Sequence, residues 1–167
     1  MSDLYIELLV KKKKTSTDTL LKVLMIGATV IFVLGGILFN PIILLLAVVM
    51  GVVDYFKLPS LDLEYEYLYV NGELDIDKIM SKSKRKRVKT LNISECDLMA
   101  PVNSHRMDYY NSNQKMKVLD YSSGNPQHKR FAIITRDSSG TCQLIIEPDE
   151  TLAKTMRNTA PSKVFLD

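Results

Sequence analysis

The residues able to carry acid–base, nucleophilic or metal chemistry are few and scattered. The chain has two histidines, His105 and His128, and neither has a second ligand at a metal-binding spacing such as HExxH or a nearby cysteine pair. The serines near them, Ser104 and the Ser122-Ser123 pair, lie among turn-forming residues without the pattern of a nucleophile elbow. We therefore expect both histidines to be loop residues, and we expect no metal site, no cofactor and no enzymatic activity.

Cysteines and paired carboxylates add little to this set. Cys96 and Cys142 lie far apart without a CxxC pattern, which fits reduced thiols in a cytosolic domain better than a disulfide framework. Asp75 and Asp77 share one face of a strand and have the chemistry to bind a cation, but a solvated strand face explains them more simply. The seven glycines are dispersed and form no phosphate-binding loop.

A basic segment is the most suggestive local feature. The candidate residues for contact with a membrane or a partner are Lys82, Lys84, Arg85, Lys86, Arg87 and Lys89. Polybasic segments near a membrane are attracted to anionic headgroups by on the order of 1 kcal/mol per residue. The competing interpretation is structural, because six carboxylates between Asp62 and Asp77 are available to be neutralised by the same cations. Nucleic acid is not an expected partner, since the chain from Leu58 onward has 16 basic and 15 acidic residues.

The element preceding this segment is strongly apolar. The run from Val23 to Val53 has 31 residues and no charge. As one helix it would be about 46 Å long, against roughly 30 Å of bilayer hydrocarbon. A cleaved signal peptide is not expected, because the apolar core is too long and no small-residue cleavage site divides it. The length requires two spans, or one span and a buried remainder.

Asn40-Pro41 divides this run. Asparagine is a strong N-cap residue, proline is tolerated in the first helical turn, and proline disfavours helix at the residue before it. We therefore predict two transmembrane helices, at about 17–39 and 41–56, the second of which is short for a full crossing. A kinked single span, a re-entrant loop and a buried hairpin in a soluble protein are the alternatives.

The flanking charges predict the orientation of the hairpin. Basic residues precede it at Lys11, Lys12, Lys13 and Lys14, and Lys57 with the later basic segment follows it, whereas the Asn40 turn has no charge. Positive residues favour the cytoplasmic side of a membrane. We therefore expect a multi-pass cell-membrane protein with both termini in the cytoplasm. The stretch before the lysines, within residues 1–16, is amphipathic, and it either lies on the bilayer surface or packs on the cytosolic domain.

From about residue 58 the pattern is typical of β structure. Leu61, Leu63 and the tyrosines at 65, 67 and 69 recur with a period of two, and Asn71-Gly72 is a strong signal for a type I′ hairpin turn. Further strands are predicted at 88–93 and on towards 99, and at 115–121, 131–135 and 141–147, with a four-residue loop at 137–140 and a long loop at 103–113. A helix capped by Asp149 is predicted to run to about Asn158. The soluble part, 58–167, is thus an α+β domain, an antiparallel barrel or sandwich of about six to seven strands with a C-terminal helix.

Several stretches resemble a known family. These are YIELLVKKKKT at 5–15, EYEYLYVNGELDIDKI at 64–79, SKRKRVK at 83–89 and LIIEPDETLAKTMRNTAPSKVF at 144–165. They are similar to an uncharacterised bacterial family of small two-span membrane proteins. The order of elements resembles bacterial proteins with a pleckstrin-homology-like (PH-like) domain, so the resemblance implies a PH-like fold for 58–167. It implies no function, because none is assigned to that family and fold does not imply function.

These observations predict a membrane-anchored, non-enzymatic binding module. Its cytosolic β domain is expected to contact a protein partner or the anionic membrane surface, and association of copies of the chain is left open. The alternative is an accessory subunit of a membrane enzyme or transporter, which requires convergent polar residues in a pocket around His105, Asp108 or His128.

Overall fold

The computed structural model describes residues 5–112, 116–137 and 140–167. The chain divides into two compact units. The hairpin unit comprises Lys13–Leu63 and Met80–Lys84, and the β unit comprises Met1–Lys12, Glu64–Ile79 and Arg85–Asp167. The apolar helices are therefore inserted, along the chain, between two parts of the β unit.

Two long helices make up most of the hairpin unit. Helix α1 is Ser16–Leu38 and helix α2 is Ile43–Lys57, followed by a 3₁₀ turn at Leu58–Leu61. The N-cap residue of α1 is Thr15, whose backbone N–H donates to the Asp18 side chain at 3.1 Å. Both helices, the second counted through Leu61, are long and apolar enough to cross a membrane.

The connection between the helices is built by Asn40. Its side-chain Oδ1 accepts from the Ile42 N–H at 2.9 Å, and its carbonyl accepts from the Ile43 N–H at 3.0 Å. Gly36 packs closely against Leu44 just beyond this turn, and a side chain at Gly36 would overlap it. The helices therefore fold back on each other, as expected for a hairpin, and α2 begins two residues later than predicted.

Sheet 1 has the strand order β1-β2-β3-β4. The strands are β1 at Tyr5–Lys11, β2 at Leu63–Val70, β3 at Glu73–Met80 and β4 at Lys84–Asn92. Strands β1 and β2 are antiparallel, with Tyr5 opposite Val70 and Lys11 opposite Glu64. The predicted turn joins β2 to β3, with positive φ at Asn71 and Gly72 as a type I′ turn requires.

Sheet 2 has the order β5-β7-β8-β6. Its strands are β5 at Leu98–Pro101, β6 at Lys117–Asp120, β7 at Phe131–Asp137 and β8 at Gly140–Ile146. Strand β7 is antiparallel to β5 and β8, whereas β6 is parallel to β8, so the sheet is mixed. The residues predicted as a long loop form two short helical turns, His105–Met107 and Asp108–Asn111 (α3). Within the predicted loop at 137–140, residues 138 and 139 lie outside the described residues, as does position 113 of the long loop.

One core joins both sheets to the C-terminal helix α4, Glu150–Thr159. Tyr67, Leu74 and Ile133 are fully buried in it, and α4 contributes Leu152 and Met156. Asp149 caps α4 as predicted, because its carboxylate accepts from the Leu152 N–H at 2.8 Å. A second cluster, with Met107 and Ile134, packs against the other face of sheet 2.

The N-terminal segment shows the main difference from the sequence analysis. Residues 5–11, treated there as a segment apart from the domain at 58–167, form strand β1. Ile6, Leu8 and Val10 pack on the core, and alternate residues face outward. Of the two alternatives, surface of the bilayer or packing on the β domain, the structure has the second. The alternation of inward and outward side chains along residues 5–11 has a period of two, which favours a strand. Residues 1–4 lie outside the described part.

Candidate functional site

The basic segment divides by position along β4. Arg85 contacts Glu66 and lies 3.8 Å from Asp77, and Arg87 lies 2.9 Å from Asp75 and 3.3 Å from Asp77. Lys89 lies 3.2 Å from Asp137. Arg85, Arg87 and Lys89 thus form ion pairs with carboxylates of the β unit.

Glu66 explains why sheet 1 needs these cations. Its side chain is only 4% exposed, and burial raises its pKa. Arg85 opposes that rise, whereas nearby Glu7 and Asp77 add to it. Asp77 is almost as deeply buried. A guanidinium is suited to this position because its planar fork can serve two carboxylates at once.

The remaining three cations of the segment behave differently. Lys82, Lys84 and Lys86 are exposed, and none of them forms an ion pair with a residue that the structure describes. The Lys84 ammonium lies 4.9 Å from the ring centre of Tyr55 and 5.8 Å from that of Phe56. An ammonium over an aromatic face is attracted by the ring without losing its charge. These lysines remain available to bind an anion.

The turn that carries Lys82 has an unusual backbone. Ser81 and Lys82 have φ of 48° and 58°, and the Ser83 N–H donates to the Met80 carbonyl at 3.2 Å. Positive φ at both central positions is the type I′ geometry, which favours Asn and Gly. A lysine at such a position destabilises the folded state by on the order of 1 kcal/mol, and backbone strain of this kind is common at functional sites.

The four lysines before α1 have different environments. Lys11 lies 3.8 Å from Glu64 within the β unit, and Lys14 lies 3.2 Å from Asp62 within the hairpin unit. Lys12 and Lys13 are exposed and form no ion pair with the part of the chain that the structure describes.

Asp54 is a polar feature that the sequence analysis missed. It lies in α2 at 8% exposure, and its Oδ2 accepts from the Thr29 hydroxyl of α1 at 2.6 Å. Its Oδ1 is buried and has no hydrogen-bond partner among the residues that the structure describes. Along α1, Thr29 lies about 10 Å from Lys22, the nearest charged residue of that helix. The helical spacing of Ile43, Ala47 and Asp54 is the signal that could have placed Asp54 between the helices.

A polar cluster surrounds His128. His128 Nδ1 lies 2.5 Å from Glu147, whose other oxygen accepts from the Ser123 hydroxyl at 2.6 Å and the Ser123 N–H at 3.0 Å. Asn125 lies 3.0 Å from His128 Nε2. Ser123, His128 and Glu147 line a groove of about 540 Å³ that is also lined by the edge strand β1 at Leu8–Lys11.

The hydrogen bonds of this cluster link Ser123, Glu147 and His128 in series. Glu147 stands between Ser123 and His128, so the serine donates to the carboxylate and has no contact with the imidazole as its base. Nucleophilic catalysis needs the base next to the hydroxyl. The Glu147 N–H also donates to the Tyr67 hydroxyl at 3.2 Å, which anchors this polar cluster to the core.

The other candidate groups are isolated. His105 is fully exposed and lies 3.3 Å from Asp108. Burial raises the pKa of Cys96 to about 11 and also raises the pKa of Cys142, so both thiols are poor nucleophiles. Among the described residues, no group of three or more His, Cys, Asp or Glu side chains is placed to hold a metal ion.

Comparison with known proteins gives one match. The family model described as a bacterial PH-like domain (DUF6106) matches residues 2–166. No curated protein and no solved structure matches the chain.

Proposed function

Since the chain belongs to the family of bacterial PH-like domains (DUF6106), we propose that it is a membrane-anchored, non-enzymatic binding module. In this proposal α1 and α2 cross the cell membrane as a hairpin, and the β unit lies in the cytoplasm. The β unit contacts a protein partner or the anionic membrane surface. No step of the proposed role requires a reaction or a cofactor.

The main support for the membrane anchor is the apolar surface of the hairpin. The buried residues of α1 and α2 are Gly36, Ala47 and Asp54, whereas large apolar side chains point outward along both helices. Ile31 and Leu45, for example, are each 69% exposed. Exposed apolar surface of this extent is unfavourable in water, and lipid hydrocarbon is the solvent that suits it.

The sheet supports a hairpin over a single span. Lys11 precedes α1, Glu64 follows α2, and the two residues are paired neighbours in sheet 1. This pairing supports a topology in which both ends of the inserted helices are on the same side of the membrane. Lysines flank both ends, which supports the cytoplasmic side for the β unit.

The Asp54–Thr29 contact fits the same proposal. A carboxyl group is costly in hydrocarbon unless it faces the interior of a helix bundle and finds a hydrogen-bond donor. Asp54 faces α1, and the Thr29 hydroxyl is its donor. The hairpin thus hides its polar pair from the surroundings and presents apolar groups to them.

The experiment replaces the hairpin by a short turn. Lys12–Leu63 is exchanged for Asn-Gly, which can connect β1 to β2 at the Lys11–Glu64 pair. The full chain is expected to stay in the membrane pellet after alkaline carbonate extraction, whereas the shortened chain is expected to be soluble and to retain the β-sheet circular dichroism. Full chain released by carbonate would overturn the membrane anchor.

A further inference from the structure

The turn between β3 and β4 is attached to the end of the helical hairpin. The Ser81 N–H donates to the Asp62 carbonyl at 2.9 Å, and Lys84 lies over the rings of Tyr55 and Phe56. All of these residues belong to the hairpin unit. The position of this turn relative to α2 is therefore fixed by direct contacts.

Tyr55 and Phe56 mark a boundary on α2. They follow the apolar run, precede Lys57 and are each 66% exposed. Aromatic residues next to lysine at the end of an apolar helix are typical of the membrane–water interface. On the proposed function, on which this inference rests, the turn lies at the depth of the lipid headgroups.

We propose that the turn Met80–Lys84 binds anionic phospholipid headgroups, with Lys82 and Lys84 as the cations that contact phosphate. Both lysines are exposed and form no ion pair with the described residues. Arg85 and Arg87 are excluded from this role because they already form ion pairs with carboxylates of sheet 1. A lysine suits a fluid headgroup layer, since its ammonium is a compact charge on a flexible stem.

The backbone of the turn supports this assignment. Glycine would fit the positive φ of Lys82 without strain, yet the chain has a lysine there. Placing a cation at the tip of the turn accounts for that choice. It also provides a useful variant, because Lys82→Gly removes the charge and relaxes the backbone, so loss of folding is not expected.

The experiment uses the full chain in nanodiscs. Ser83→Cys, an exposed position between the two lysines, is labelled with an environment-sensitive fluorophore; the native cysteines are buried. The emission is compared between phosphatidylcholine alone and phosphatidylcholine with increasing phosphatidylglycerol. We expect a blue shift that grows with the anionic lipid and is reversed by added salt.

The charge variant tests which residues cause the shift. Lys82→Gly with Lys84→Gln is expected to weaken the headgroup-bound state by about 30-fold, which corresponds to about 1 kcal/mol for each lysine. The matched control, Lys117→Gln with Arg157→Gln, removes two exposed cations of the β unit and is expected to leave the response unchanged. Unfolding midpoints of both variants verify that each is folded.

Each outcome supports or overturns the inference. An emission maximum that does not change with lipid composition, or that shifts equally in the charge variant, would overturn the inference. An acidic protein surface would then be the partner of these lysines. Competition by soluble glycerol phosphate would also overturn it, in favour of a small-anion site. Failure of the full chain to enter nanodiscs would instead count against the proposed membrane anchor.

Discussion

The hairpin unit and the β unit distribute their side chains in opposite ways. In the β unit, apolar side chains such as Tyr67 and Leu144 are fully buried, and charged pairs lie on the outer face of sheet 1. In the hairpin unit, the apolar side chains are exposed and the Asp54–Thr29 pair is between the helices. On the proposed function, this difference corresponds to two solvents for one chain, water for the β unit and lipid for the hairpin.

The largest expected effect comes from truncating equivalent side chains in the two units. Leu144→Ala should destabilise the β unit by about 3 kcal/mol, because Leu144 is fully buried and leaves a cavity. Leu45→Ala, at a 69% exposed position of α2, should change stability by about 0.5 kcal/mol or less. Thermal unfolding of the reconstituted chain, followed by circular dichroism, measures both. Similar losses at the two positions would contradict the comparison.

The second prediction concerns the two halves of the basic segment. Arg85→Ala should cost about 2 kcal/mol, since it leaves the buried carboxyl group of Glu66 without its cation, whereas Asp77 keeps Arg87. Lys86→Ala, the matched control one residue along β4, should stay within about 0.5 kcal/mol. Chemical denaturation gives both values, and equal effects would mean that the segment does not divide as described.

The third prediction sharpens the account of the hairpin interior. Thr29→Val should cost about 1 kcal/mol in bicelles, because it removes the donor to Asp54. Thr29→Ser keeps a hydroxyl and should restore most of the loss. In a double-mutant cycle, Thr29→Val and Asp54→Leu should be coupled; independent effects would show that the hydrogen bond contributes nothing to the helix pairing.

The smallest expected effect is a pH dependence. The pKa of Glu66 is raised in the folded chain, so the folded state binds a proton more tightly there than the unfolded state does. That contribution to stability is complete below the usual glutamate pKa of 4.5 and is lost as pH rises through the folded value. Glu66→Gln should reduce this loss of stability as pH rises above 4.5, as measured by unfolding midpoints. Glu73→Gln, an exposed position on β3, is the control, and an identical pH profile in both variants would contradict the assignment.

The sequence predicts the locally determined features well. Asn71-Gly72 specifies its own turn, Asp149 caps the helix that follows it, and Asn40 ends one helix and starts the next. In each case the residues that determine the structure are adjacent along the chain. The family assignment, suggested by four short stretches, is confirmed by the match over residues 2–166.

The features that the sequence did not reveal depend on distant partners. Strand β1 pairs with β2 across the entire hairpin, so nothing adjacent to Tyr5–Lys11 identifies its partner. The contact of Asp54 with Thr29 depends on how two helices face each other. The division of the basic segment follows from the positions of its residues on β4 and from which carboxylates lie within reach.

The sidedness of the hairpin is the central claim and is directly measurable. Single cysteines are placed at Asn40, in the turn between the helices, and at Gln127, an exposed loop position of the β unit, and are treated with a membrane-impermeant maleimide. The native thiols are buried and have raised pKa values, which keeps the background low. We expect position 40 to label in intact cells and position 127 to label only in inside-out vesicles. Labelling of position 127 from outside, or labelling of both positions from the same side, would contradict the account.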